Sequence, residues 1–152
     1  MEIICVLDLD ETLGFYEEGI GFHKRPFSDF MFEFLQFSSI KFILWSYGDD
    51  AYVKLVMNSF ITDLRNMAYK VFGKSQCKLS KYRYDVIKCS EHIRKLFKDD
   101  IFLIGIDDRV NEMMDNKYDL RINVEPYTCQ NKKDIELVIV IQKIITYING
   151  LN

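Results

Sequence analysis

The chain has 152 residues, 49% of them hydrophobic and 28% charged, with a formal net charge of −3. That is enough chain for one domain with its own core, and the composition is that of a water-soluble globular protein, not a disordered one. Leu137–Ile141, the longest apolar run near the C-terminus, is far short of a bilayer span, so no membrane association is expected.

Ile3–Leu7 is an apolar run rich in β-branched residues and reads as a strand. It begins so close to Met1 that no signal or transit segment is expected. It stops at Asp8-Leu9-Asp10-Glu11-Thr12. Alternate residues of an extended chain share a face, so Asp8 and Asp10 start on one side, and the turn can aim both at one point. Two carboxylates this close repel unless a cation sits between them, and a hard cation such as Mg²⁺ suits oxygen ligands. One carboxylate could then attack an electrophile while the other moves a proton. The plain alternative is a polar strand end running into an acidic turn.

Gly14 to Lys24 reads as a short loop or flap. Phe27–Phe37 reads as a helix, with Pro26 at an early helical position. Lys41–Trp45 is a second strand, ending at Ser46. Asp49 to about Arg65 is helical in period, with a break near Ser59, and Tyr69–Phe72 is a third strand. Asp85–Phe97 reads as a helix burying Val86, Ile87, Ile93, Leu96 and Phe97. Ile101–Ile106 is a fourth, near-continuous apolar strand that ends in Asp107-Asp108. Val110–Asp115 reads as a short helix and Leu120–Val124 as a fifth strand. The last element, Asp134–Asn149, is so rich in β-branched residues that propensity alone would allow a strand. As a helix it is apolar nearly all round, which leaves room for part of it to bury against a second copy in a homodimer.

Charge and cysteine add two constraints. Between Lys70 and Lys98 stand nine basic residues (Lys70, Lys74, Lys78, Lys81, Arg83, Lys88, Arg94, Lys95, Lys98) against Asp85 and Glu91, a net +7 that leaves −10 elsewhere. Such a segment suggests a face that attracts anions, a phosphopeptide or a nucleic acid; a solvated helix face is the alternative. Cys5, Cys77, Cys89 and Cys129 are scattered, with no Cys-x-x-Cys spacing. They read as reduced packing residues of an intracellular protein, cytoplasmic or nuclear, and not as a secreted disulfide framework or a zinc site.

Near-continuous apolar strands alternating with helices imply an α/β fold with a parallel sheet covered on both faces. Such sheets bind ligands at the carboxyl ends of their strands. Asp8, Ser46 and Asp107 each stand at such an end, so three distant parts of the sequence converge on one edge.

Asp8-Leu9-Asp10-Glu11-Thr12 matches the DxDxT signature of the haloacid dehalogenase superfamily. More narrowly, the chain resembles the phosphatases of the RNA polymerase II C-terminal domain and their small relatives, the FCP/SCP-like and NLI-interacting-factor-like phosphatases. Lys24-Arg25-Pro26-Phe27 resembles the Arg-Pro start of their first helix. Leu44-Trp45-Ser46 with Tyr52 resembles the second motif. Lys88 in Tyr84-Asp85-Val86-Ile87-Lys88 resembles the motif-three lysine, with Lys81 its competitor. Ile104-Gly105-Ile106-Asp107-Asp108 resembles motif four, and Asn116 with the strand to Val124 the segment after it.

The resemblance implies a Rossmann-like haloacid dehalogenase core over residues 1–152, a five-stranded, mostly parallel sheet flanked by helices, without a cap domain. It implies that Asp8 is the nucleophile, forming an aspartyl-phosphate, and that Asp10 is the general acid and base. Mg²⁺ would sit on a carboxylate oxygen of Asp8, the backbone carbonyl of Asp10 and the Asp107-Asp108 pair. The small phosphatases often carry Asp-Asn in motif four; Asp108 departs from that, which leaves open which of the two touches metal. Ser46 and Lys88 would hold the phosphoryl group, Lys88 would keep Asp8 ionised, and Thr12, placed with the phosphate-binding set, would order the motif loop. His23 and His92 are expected to be structural or exposed. The Phe15–Phe22 loop is shorter than the flap insert of the small phosphatases, and an open, capless site favours a macromolecular substrate that closes it with its own bulk. The expected function is therefore a Mg²⁺-dependent phosphatase of phosphoserine or phosphothreonine in a protein. The alternatives are a phosphatase of a nucleotide, a small phosphate ester or a nucleic-acid 3′-phosphate, and a catalytically weak interaction module. The retained Asp8, Asp10, Lys88 and Asp107 disfavour the last.

Overall fold

A computed structural model describes residues 1–60, 64–79 and 85–151. The elements run β1 (Glu2–Leu7), β2 (Gly14–Glu17), β3 (Gly21–Lys24), α1 (Ser28–Phe37), β4 (Lys41–Trp45), α2 (Asp50–Phe60), α3 (Leu64–Met67) and β5 (Lys70–Phe72). A 3₁₀ turn (Lys74–Gln76) follows, then β6 (Lys78–Leu79), β7 (Val86–Ile87), α4 (Ser90–Arg94), β8 (Ile101–Asp107), α5 (Val110–Met113), β9 (Leu120–Asn123) and α6 (Glu136–Gly150). β5, β4, β1, β8 and β9 form one sheet in that order, every pairing parallel. Strand order reverses at β1, so the crevice at its carboxyl end is the ligand position of an open α/β sheet.

Alternation along the strands sends side chains into two cores. On one face Cys5, Leu7, Phe42, Leu44, Ile104 and Ile106 meet Met31, Phe32 and Leu35 of α1, Val53 and Met57 of α2, and Leu137, Val140 and Ile144 of α6. On the other, Ile4, Val6, Ile43, Trp45 and Leu103 meet Ile93, Val110, Met114 and Tyr118. Every residue of β8 is buried, as a central strand covered on both faces requires. Gly105 is a necessity of that packing: a Cβ there would lie 2.4 Å from Met114 Sδ and 2.8 Å from Tyr118 Cδ2.

Several elements differ from their sequence expectation. Gly14 to Lys24 is an antiparallel hairpin, β2 pairing β3. Pro26 stands two residues ahead of α1, because Phe27 turns through a left-handed conformation (φ 69°) before the helix begins. The helix expected over Asp85–Phe97 is confined to Ser90–Arg94; Val86 and Ile87 are extended, pairing with β6, and Val86 is 41% exposed. Lys88 is extended as well: its N–H bonds the Met113 carbonyl at 2.8 Å, in a bridge to Met114. Hydrogen bonding to a neighbouring segment, not local periodicity, fixes this stretch. The C-terminal element is a helix, burying Leu137, Val140, Ile141 and Ile144 while Ile135, Ile145 and Tyr147 stay exposed. All four cysteines are free thiols. No described helix is long and apolar enough to cross a membrane.

Candidate active site

Parallel register sets the first pair of the site. Leu7 lies opposite Ile106, so Asp8 and Asp107 leave the sheet side by side, and the Asp8 N–H bonds the Ile106 carbonyl at 2.9 Å. Both carboxylates are buried, and between them lies the Lys88 ammonium, itself without solvent exposure. Its Nζ donates to Asp8 Oδ1 at 2.8 Å and to Asp107 Oδ2 at 2.6 Å. The remaining oxygens are also held. Thr12 Oγ1 donates to Asp8 Oδ2 at 2.8 Å, and the Arg109 N–H donates to Asp107 Oδ1 at 2.9 Å.

Asp108 completes a cluster in which Asp8, Asp107 and Asp108 each bring an oxygen within 4.8 Å of the others. Three carboxylates face one ammonium, a net −2 if all ionise. Burial pushes the Asp108 carboxyl up to about 8, helped by its hydrogen bond to Asp8 and the charges of Asp8 and Asp107. Burial likewise raises Asp8, against the pull of Lys88. Burial opposes the Lys88 charge, but the two carboxylates outweigh it and hold the ammonium above its ordinary range. The cluster relieves its surplus charge by keeping a proton.

Asp10 sits at the turn beyond β1. Ser46 Oγ donates to its Oδ2 at 3.1 Å and the Tyr52 hydroxyl to its Oδ1. The Gly48 N–H in turn donates to Ser46 Oγ at 2.9 Å. Glu11 adopts a left-handed conformation (φ 63°), an uncommon one for a side chain of this kind. Arg25 holds that turn. Its guanidinium is buried, reaching the Thr12 carbonyl at 3.2 Å and the Glu11 carbonyl at 3.4 Å, and it forks onto both oxygens of Asp134 at 2.9 and 3.0 Å. The Tyr127 N–H also donates to Glu11 O at 2.7 Å, and its ring lies under Arg25. Sequence reasoning placed Arg25 in a motif but gave it no role, and missed Asp134 and Tyr127. No local signal links partners 109 residues apart.

The hairpin β2–β3 leans over the site. Tyr16 meets the Tyr52 ring edge-on at 5.7 Å, and Phe15 stacks on His23 at 4.7 Å. His23 is a structural residue, with Glu17 and Gln130 on its two nitrogens. His92 packs between Trp45 and Phe72, and burial lowers its pKa. Of the basic segment, Lys88 is internal, Arg94 pairs with Asp119 and Lys95 with Glu91. Lys81 and Arg83 lie outside the described residues.

Residues 3–151 match the family described as NLI interacting factor-like phosphatase. The chain belongs to that family. Among solved structures it is similar to the fission yeast RNA polymerase II CTD phosphatase Fcp1, an arginine-to-alanine variant bound to beryllium fluoride. Identity there is 18%, over 96% of this chain and 50% of that one, with a TM-score of 0.55. A second structure, described as Fcp1, an essential RNA polymerase II CTD phosphatase, gives 17% identity over 93% and 49% of the two chains, with a TM-score of 0.57. At that identity the likeness is one of fold. The chain spans about half the length of those proteins' chains. No curated protein matches it significantly.

NLI interacting factor-like phosphatases work with a divalent metal ion, and this donor set fits one. The candidate donors are hard carboxylate oxygens, and a dication displacing the Asp108 proton would balance the two negative charges then in surplus. Asp107 already spends both oxygens on Lys88 and Arg109. Asp108, only half-buried, is the more open of the pair to an incoming ion.

Proposed function

We propose that this chain is a phosphoric monoester hydrolase for phosphoserine or phosphothreonine in an intracellular protein, with residues 1–152 acting as one catalytic unit. The observation that carries the reading is the buried Lys88 ammonium bonded to both Asp8 and Asp107. An isolated buried lysine would neutralise; one held between two carboxylates at strand ends stays charged and can face a phosphoryl group as well as a nucleophile.

In this reading Asp8 is the nucleophile, its oxygens oriented by Lys88 and Thr12. An Asp8 oxygen attacks phosphorus, the bond from phosphorus to the serine or threonine oxygen breaks, and Asp10 gives that oxygen a proton. Water then attacks the aspartyl-phosphate, its proton passing to Asp10, and the bond to Asp8 breaks to release inorganic phosphate. Ser46 donates to a phosphoryl oxygen, and Lys88 offsets its charge. Asp8, the backbone carbonyl of Asp10 and Asp108 would hold Mg²⁺, with Asp107 as the anchor of Lys88; the ion would let an anionic nucleophile approach an anionic ester. Support for a protein substrate comes from the capless core, whose β2–β3 hairpin brings half-exposed Tyr16 against Tyr52 beside Asp10.

The test is a panel of phosphoserine and phosphothreonine peptides, nucleotides and small phosphate esters, with Mg²⁺ or with chelator. Phosphopeptides should turn over fastest, and only with metal. Full activity in chelator would overturn the metal-dependent mechanism, and preference for a nucleotide would overturn the substrate class.

A further inference from the structure

Asp10 must give a proton in one half-reaction and take one in the other, so the aim of its carboxylate matters twice. Both of its oxygens are engaged by hydroxyls, and the two hydroxyls differ. Ser46 Oγ accepts from the Gly48 N–H and has a single hydrogen, directed at Asp10 Oδ2. When a phosphoryl oxygen claims that hydrogen, Oδ2 is released. The Tyr52 hydroxyl has no such competing duty. It gives its one hydrogen to Oδ1.

Backbone detail supports the placement. The Tyr52 N–H bonds Asp49 Oδ1 at 2.8 Å, which fixes the first turn of α2, and the ring is braced by Tyr16. Gly48 makes the room: a Cβ there would lie 2.6 Å from Tyr52 Cδ1 and 3.1 Å from Ser46 Oγ. One small residue thus lets both donors reach the same carboxylate.

We propose that Tyr52 is the positioning residue of the acid–base step, clamping Asp10 by Oδ1 so that Oδ2, beside Ser46, is the oxygen that exchanges protons. The inference rests on the reading of Asp10 as acid and base. It assigns Tyr52 a duty toward the enzyme's own carboxylate, not toward substrate.

Tyr52→Phe removes only the hydroxyl. Loss of one hydrogen bond to a charged group should lower kcat by about 10- to 100-fold with KM nearly unchanged. With a nitrophenyl ester, whose leaving group needs little protonation, formation of the aspartyl-phosphate should be spared and its hydrolysis slowed, so rapid quench should show phosphoenzyme accumulating. In an Asp10→Asn background the same substitution should cost nothing further. Gly48→Ala, which pushes on the Tyr52 ring and crowds Ser46 Oγ, should slow the same steps with an added rise in KM, and serves if Tyr52→Phe does not fold. A rise in KM alone, or losses that multiply with Asp10→Asn, would overturn the proposal while leaving the phosphatase reading intact. Normal turnover by Asp10→Asn would instead remove the acid–base assignment, and this proposal with it.

Discussion

Replacing Lys88 by Met keeps most of the stem and deletes the charge. The wild-type ammonium lies 2.8 Å from one buried carboxylate oxygen and 2.6 Å from another. At an effective dielectric of about 20 each pair attracts by about 6 kcal/mol. Most of that is offset by the desolvation of three ions, so the net worth of the pairs is small. Deletion is another matter, because it strands Asp8, Asp107 and Asp108 together without a counter-charge, and breaking a buried pair from one side costs about 3–5 kcal/mol. Against the ordinary stability of about 5–15 kcal/mol the variant should fold but be marginal, melting roughly 10 °C lower. Mg²⁺ should stabilise the variant more than the wild type, since no ammonium there offsets the carboxylate charge it meets. Urea unfolding of both proteins, in chelator and in Mg²⁺, reads all of this, and kcat should fall by about 10² or more. Equal midpoints with equal slopes, in a variant that still turns over, would refute the view that this ammonium is the site's counter-ion.

Other consequences follow from the same geometry. Asp8→Asn should abolish turnover, and Asp10→Asn should lower kcat by about 10² to 10⁴, less with a nitrophenolate leaving group; steady-state assays on both esters check this. Ca²⁺ should not replace Mg²⁺, its looser coordination misplacing the nucleophile, which a metal-replacement assay tests. The folded metal-free protein keeps the Asp108 proton up to about 8, whereas an unfolded carboxyl loses it near 3.8. The native state then binds more protons between those values, so stability in chelator should fall as pH rises through this window and level off above it; Mg²⁺ should flatten the slope in urea titrations at pH 5, 7 and 9. Gly105→Ala should cost about 1–3 kcal/mol by overpacking against Met114 and Tyr118, read as a lower urea midpoint.

The sheet was legible in the sequence because its strands are buried on both faces. Ile3–Leu7, Lys41–Trp45 and Ile101–Ile106 are apolar at nearly every position, and the residue where each run stops faces the ligand crevice. Asp8, Ser46 and Asp107 therefore declared themselves by position as much as by motif. Motif order singles out Lys88, which the structure buries between Asp8 and Asp107, but periodicity puts it on a helix where the chain is extended. Val86, Ile87, Ile93, Leu96 and Phe97 share a helical spacing, while the structure spends Val86 and Ile87 on a two-residue ladder. The hairpin escaped because Tyr16 and Phe22 pack on α2 and its neighbours, contacts with no local periodicity. Arg25 and Asp134 escaped because their bond exists only once α6 has docked. What the sequence conceals is the long-range hydrogen bond, which periodicity cannot encode.

Lys88 illustrates how such bonds build a site. Burying an ammonium demands partners for its charge and a backbone that cannot relax away. Its N–H is tied to Met113 O at 2.8 Å, and its carbonyl accepts from the Tyr118 hydroxyl at 2.8 Å. Tyr118 reaches that carbonyl only because β8 carries Gly105 where a side chain would collide with its ring. The same β8 delivers Asp107, one of the two carboxylates that hold the Lys88 charge. A gap and a carboxylate two residues apart on one central strand therefore fix both ends of the lysine, backbone and ammonium. The extended backbone at Lys88 follows from that double restraint. A helix starting at Asp85 would satisfy its own N–H and carbonyl groups and leave the ammonium without the geometry that makes it a counter-ion.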